Sequence, residues 1–311
     1  MSTHRPFRFG AGAFSAPSAA EWGENARRVE ALGYSTLLIP DHFNSFLFAP
    51  IAALTAAAVA TTTLRVGTTV FNNDFRHPAV LASEMATLDV LSDGRLEVGI
   101  GAGDNKHDYD LLGMSFDPPQ VRVERMQEGV RILKGLWGED PFEFAGVHYT
   151  VNGSDPGVSP VQRPHPPIYL GAGGKRMLAF AAREADIVGI IAQALPEGGL
   201  DMERDTDALL AEKVRWVREA AGERFEHLEL AALIWGVAIT DNRLTAAERF
   251  ARPGWLTPEQ ILASPYFLIG SVDAIVERLV ELRERYHHSY FNVFPDAMET
   301  LAPVVARLAG T

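Results

Sequence analysis

The stretch LRVGTTVFNNDFRHPAVLASEMATLDVLSDGRLEVGIGAGDN, Leu64–Asn105, holds a complete strand–helix–strand unit. Arg65–Phe71 is rich in Val and Thr and ends at the polar cluster Asn72-Asn73-Asp74. β-branched residues suit a pleated sheet, and such clusters end strands. Pro78, whose fixed φ suits a first helical turn, opens a helix predicted to reach Leu91. Leu96–Gly101 is then a second β-rich run that stops at glycine. Two strands joined by a helix lie parallel in one sheet.

The same alternation continues outward from this unit. On the N-terminal side, Phe7–Gly12 and Ser35–Ile39 are predicted strands. A helix from about Ser18 to Leu32 follows the first, with Ser18 and Glu21 at capping-box spacing and Gly33 as its stop. A helix from Pro50 to about Thr61 follows the second. On the C-terminal side the predicted strands are Ile168–Gly171, Asp186–Ile191, Leu228–Thr240 and Ser289–Phe294. Helices are predicted up to Trp137, from Gly173-Gly174, up to Ala221, from Thr257, from Val272 to Tyr286, and at the end of the chain. Residues 142–151, FEFAGVHYTV, alternate like a hairpin, and a proline-rich loop (Pro156, Pro160, Pro164, Pro166, Pro167) follows. Eight strands, each followed by helix, predict an α/β fold: a (β/α)8 TIM barrel over residues 1–311 as one domain. The hairpin and loop form an insertion between strands 4 and 5.

Composition narrows the function. With 47% apolar and 22% charged residues, the 311-residue chain reads as a soluble globular protein. Its net charge of −12 repels phosphate backbones and anionic lipid, so neither nucleic acid nor membrane is an expected partner. It has no cysteine, which excludes disulfides, thiolate metal sites and cysteine nucleophiles. No signal-peptide pattern precedes the first strand, and a cytoplasmic location is the expectation.

Active sites of parallel barrels lie at the C-terminal ends of the strands. That rule selects Asp41 and His42 after strand 2, and Thr68, Thr69, Asn72 and Asn73 at strand 3. It adds Gly101, Gly103, Asp104 and Asn105 at strand 4, and Gly171, Gly173, Gly174 and Lys175 at strand 5. Gln193, Asn292 and Asp296 complete the set. His42 is the acid–base candidate, because imidazole titrates near neutrality. Asp41 could orient it, but adjacent strand residues point to opposite sides, so Asp41 could instead serve the cofactor or the backbone. Pro40-Asp41-His42 also fits a plain turn with a helix cap. Asp104 is a second acid candidate, or an N-cap for the helix after it. The glycine clusters at strand ends let a ligand approach the backbone, and a helix starting at Gly173-Gly174 offers N–H groups to a phosphate, with Lys175 adding charge. His107, Asp108 and Asp110 lack the spacing of a zinc helix, and no metal is expected. His287-His288 is read as a helix end where positive charge suits the dipole. Phe43, Phe46, Phe48, Trp255 and Tyr266 are expected to make an apolar pocket wall.

These segments together resemble a known family. Asp41-His42-Phe43, the Leu64–Asn105 stretch, GVHYTV, SPVQRPHPPIYLGAGG, FLIGSVDAIVERLVELRERY and SYFNVF occur in an order similar to that of the bacterial luciferase-like monooxygenase superfamily. Within it they resemble the coenzyme F420-dependent oxidoreductases. The resemblance implies a barrel with an insertion, a homodimer, and F420 across the barrel mouth. It implies a non-prolyl cis peptide at Thr69-Val70 beneath the ring, Asp41 near the ring, and His42 as proton carrier. Gly173 and Gly174 would donate to the cofactor phosphate, although the general barrel pattern would place phosphate after strands 7 and 8. Thr68, Gly101, Gly103 and Lys175 complete the expected cofactor set. Asp104 stands where the sugar-phosphate dehydrogenase of the family has Glu, and that enzyme's basic cluster has no counterpart here, so a substrate other than a sugar phosphate is expected. The expected activity is hydride transfer between F420 and a small organic substrate. An FMN-dependent monooxygenase is the alternative, and a non-catalytic flavin-binding module is a reading of a different class.

Overall fold

Strand alternation sorts the residues of Leu96–Gly101 to two sides. Leu96, Val98 and Ile100 join the large apolar core between sheet and helices, while Glu97 faces the arginines inside the barrel. The same alternation holds around a closed ring of eight parallel strands: β1 (Arg8–Gly12), β2 (Thr36–Ile39), β3 (Arg65–Thr68), β4 (Leu96–Gly101), β5 (Ile168–Ala172), β6 (Ile187–Ile190), β7 (Glu229–Ile234) and β8 (His288–Val293). Each pairs with the next in sequence, and β8 pairs with β1 to close the ring. The structure, a computed structural model, describes residues 5–43, 47–154, 157–195, 198–204, 206–252 and 255–311. It is a (β/α)8 TIM barrel, as the strand count predicts. Residues 142–145 and 150–154 form the expected antiparallel hairpin between β4 and β5. Among the described residues, no helix is long and apolar enough to cross a membrane.

The two ends of the barrel interior differ in kind. At the N-terminal end, Glu97 binds both Arg8 and Arg65 (Arg65 Nε at 2.6 Å), and Arg8 also reaches Glu229 at 2.6 Å. The Tyr290 hydroxyl donates to Glu97 at 3.2 Å. Above this ionic plug lies a small apolar layer of Tyr169, Ile187, Ala231 and Tyr290, with Val70 packed on it from the mouth. The next inward positions on β4, β5 and β6 are Gly101, Gly171 and Gly189. Tyr169 fills the space over Gly189, and Val70 fills the space over Gly101.

Three local features depart from the sequence reading. Strand 7 does not run unbroken from Leu228 to Thr240: it stops at Ile234, and Gly236–Ile239 pairs instead with Phe267–Gly270. That partner strand was not expected, because a four-residue apolar run between two helices has no periodicity of its own. Asn242 caps a helix, Arg243–Phe250, in what reads as a polar loop. Together with Pro258–Ala263 these elements bury Ala247, Leu256, Ile261, Phe267 and Ile269 in a second small core beside Ala192 and Met202. The histidine pair also separates. His287 ends its helix in the left-handed conformation, but His288 is the first residue of β8, and burial pushes its pKa down to about 4. It is neutral at pH 7, so it supplies no charge to the helix end.

Candidate active site

The ends of β2, β3 and β4 bring the first group of predicted residues together at the mouth. Asp41 and His42 follow β2 and point to different partners, as alternation predicts. The Asp41 carboxylate is buried and grips Arg76 through both oxygens, at 2.5 and 3.1 Å, while accepting the Asn72 N–H at 3.1 Å. Both of its oxygens are engaged by protein, which fixes the carboxylate against the β3 end.

His42 has a different carboxylate. Its Nδ1 lies 2.6 Å from Oδ2 of Asp108, and Oδ1 of Asp108 accepts the Phe43 N–H at 3.1 Å. The imidazole is 37% exposed, the carboxylate 2%. Asp108 is thus a partner of His42. Sequence spacing conceals the pair, since the residues lie 66 positions apart on non-neighbouring strand ends. Only the ring order β2–β3–β4 brings them to one mouth.

Strand 3 breaks where the resemblance implies. The Thr69-Val70 peptide is cis, between β3 and the two-residue continuation Phe71–Asn72. Thr68 lies beneath, 2% exposed, with its hydroxyl donating to the Gly99 carbonyl at 2.8 Å and accepting the Gly99 N–H at 3.2 Å. Its hydroxyl is used in stitching β3 to β4. Val70, by contrast, projects over the glycine layer. A methyl group on Gly101 would meet Val70 Cγ2 at 2.5 Å, and one on Gly171 would lie 3.8 Å from Cγ1. The floor of the mouth is a valine side chain held between glycines.

The β4 loop is fixed from behind. Gly103 has φ +75°, and a side chain there would collide with the Tyr109 hydroxyl. Buried Arg122 donates to the Gly103 carbonyl. Asp104 does not cap the following helix. Asn105 does, by accepting the His107 N–H at 3.2 Å. The half-buried Asp104 offers its carbonyl to the Gly199 N–H at 3.1 Å, which ties the loop to the hairpin of Gln193–Ala194 and Leu200–Asp201. Asp74 takes Arg125 at 2.8 Å and the Tyr109 hydroxyl at 2.9 Å.

On the opposite side, helix Lys175–Glu184 begins at Gly174, and no side chain caps it. Its first N–H groups have no side-chain acceptor, a ready site for an anionic group. Gly173 is required by a backbone crossing, because a side chain there would strike the Ala192 carbonyl. Lys175 holds its ammonium 5.7 Å from the centre of the Trp216 ring. Of the expected apolar wall, Phe43 (42% exposed) and half-buried Trp255 remain open, Phe48 packs on Trp22, and Tyr266 is buried. Phe46 lies outside the described residues. Trp235 adds to the wall, tilted against Phe294 at 5.4 Å and edge-on to Trp255 at 6.3 Å.

Residues 2–221 match the family model described as luciferase-like monooxygenase. The chain belongs to the luciferase-like monooxygenase family. Within that family it is similar to an F420-dependent glucose-6-phosphate dehydrogenase from Kribbella flavida, at 33% identity over 76% of this chain and 71% of the relative. The family fold is shared with solved structures. One is the coenzyme F420-dependent tetrahydromethanopterin reductase from Methanopyrus kandleri, with a TM-score of 0.78, 21% identity, and 97% and 99% of the two chains covered. Another is an F420-dependent secondary alcohol dehydrogenase bound to an F420–acetone adduct, with a TM-score of 0.79, 19% identity and the same coverage. The chain therefore sits in the F420-dependent branch of the family and is an oxidoreductase.

Proposed function

We propose that the barrel mouth binds coenzyme F420 and that the protein transfers a hydride between it and a small organic substrate without a phosphate group. The observation that carries this reading is the placement of His42, an exposed imidazole braced by Asp108, beside a floor made of Val70 and glycine. The uncapped helix start at Gly174, with Lys175 next to it, suits the cofactor's phosphate. The residues present fit the group. When bound, F420 supplies the carbon that gives or takes the hydride. Val70 supports the ring face, and Gly173, Gly174 and Lys175 hold the anionic tail. His42 takes the proton from a substrate hydroxyl or returns it. Asp104 borders the substrate space from the β4 loop.

Three cations around the mouth are already engaged. Arg76 holds Asp41, Arg125 holds Asp74, and Arg122 holds a backbone carbonyl. None of the three is left to take a substrate phosphate, which supports an uncharged substrate even though the Kribbella relative is named for a sugar phosphate.

Titration with F420 and with FMN, followed by turnover with glucose 6-phosphate and with a secondary alcohol, tests the reading. Tight binding of F420 and turnover of the alcohol alone are expected. Binding of FMN alone would overturn it in favour of a monooxygenase. His42→Ala is expected to keep F420 binding and lose turnover. F420 binding with no turnover of any substrate would support a binding module.

A homodimer belongs to the same proposal. Helices Pro50–Ala60 and Pro78–Leu91 neighbour each other and carry apolar residues on their outer sides, with Val59 75% and Leu91 53% exposed. Such a patch suits a subunit contact. Leu91→Glu should convert a dimer to a monomer in light scattering, and a monomeric wild type would remove the dimer. The cytoplasmic setting rests on the sequence alone.

A further inference from the structure

We propose that Asp108 is the positioning residue of His42: it fixes the imidazole as the Nδ1–H tautomer and leaves Nε2 as the atom that exchanges the proton. The proposal builds on the reading of His42 as proton carrier, but its first test does not depend on any substrate.

The geometry leaves little freedom. An ionised carboxylate can only accept hydrogen bonds. Asp108 spends one oxygen on the Phe43 N–H at 3.1 Å and the other on Nδ1 of His42 at 2.6 Å. Nδ1 must therefore carry the hydrogen. Two bonds from one rigid group to consecutive residues hold both the backbone after β2 and the ring attached to it. The carboxylate itself is well fixed. It lies in the first turn of helix Lys106–Leu112, where the free N–H groups favour negative charge, and it is almost wholly buried. The imidazole is more than a third exposed, so the ring extends from a buried anchor toward the mouth. Asp41, the residue adjacent in sequence, does not compete, because Arg76 occupies it. Phe43 closes the arrangement by packing edge-on against Phe75 at 5.1 Å, and Phe75 leans on Tyr109, the residue after Asp108.

Histidine-selective 15N labelling tests this directly. The chain has nine histidines, and a His42→Gln sample identifies the His42 signals by difference. Wild-type protein is expected to show the Nδ1–H form of His42. Asp108→Asn is nearly isosteric: its carbonyl oxygen can keep the Phe43 N–H, while its amide must donate to Nδ1. That variant should invert the tautomer to Nε2–H. Asp108→Ala should give a mixture, and Asp108→Glu should recover part of the Nδ1–H population. An Nε2–H form in the wild type, or the same tautomer in Asp108→Asn as in the wild type, would overturn the proposal.

Turnover supplies the second readout. With F420 and whichever substrate the wild type accepts, Asp108→Asn should lower kcat by about 10²- to 10⁴-fold, the range in which a mis-set general base acts. KM and F420 affinity should stay within about twofold, since the Asp108 carboxylate is 2% exposed and both its oxygens face His42 and Phe43. A parallel loss of F420 binding would assign Asp108 to fold maintenance and overturn the positioning role. Failure of F420 to bind the wild type would instead defeat the proposed function and leave the tautomer result standing.

Discussion

Acidifying the protein from about pH 8 to about pH 5 probes the burial of His288. This imidazole is 1% exposed, its Nδ1 lies 3.2 Å from the Tyr286 carbonyl, and its Nε2 has no hydrogen-bond partner among the described residues. Burial, with a small contribution from His287, lowers its pKa to about 4, although the Tyr286 carbonyl opposes the shift. In the unfolded chain the same group titrates near 6.5. The unfolded state therefore takes up the proton first. Stability that is complete above about pH 6.5 is lost as pH falls toward the folded value near 4. The gap is worth about 3 kcal/mol in all, of which about 2 kcal/mol is lost by pH 5. His288→Asn keeps a donor for the Tyr286 carbonyl and removes the titration. Urea unfolding followed by tryptophan fluorescence, on both proteins across this range, isolates the term, because other titrating groups are common to both. The wild type should lose about 2 kcal/mol more than the variant between the two ends of the range. Parallel profiles would refute the reasoning, since they would mean that His288 can be protonated in place.

Two further outcomes follow from the two ends of the barrel. Gly101→Ala places a methyl group 2.5 Å from Val70 Cγ2 and pushes that side chain into the mouth. F420 affinity, read by fluorescence titration, should fall by at least about tenfold, or roughly 1.4 kcal/mol, and unchanged affinity would remove Val70 from the floor. Glu97→Gln leaves Arg8 and Arg65 facing each other without the charge between them. Removing one member of a buried pair costs about 3–5 kcal/mol, and because both guanidinium groups are a quarter exposed, about 2–3 kcal/mol is expected in urea unfolding. F420 affinity should not change.

The barrel was legible because each strand and helix carries its own local signal. Arg65–Thr68, Pro78–Leu91 and Leu96–Gly101 stand where β-branching, an N1 proline and a terminal glycine place them. Phe267–Gly270 was not legible, because four apolar residues between helices fit either state. The site was legible in location and less so in partnership. Strand ends selected Asp41 and His42, and alternation separated them. Arg76 and Asp108, the residues that fix them, come from the loops after β3 and β4, and no local pattern in a sequence encodes which side chains of those loops meet the end of β2. Thr68 shows the same limit: a residue type at a strand end does not reveal whether its hydroxyl is already spent on the backbone.

The glycine layer above Tyr169 and Tyr290 has a consequence for the lifetime of the protein. A barrel interior is normally filled by side chains at every level. Here Tyr169 and Val70 fill the space over Gly189 and Gly101, and a molecule bound on them at the mouth links occupancy to folding stability. A ligand present at a hundred times its dissociation constant adds about 2.7 kcal/mol to the folded state. Heat resistance measured across a library of small molecules therefore reports which of them completes the barrel, without any reaction having to be guessed first.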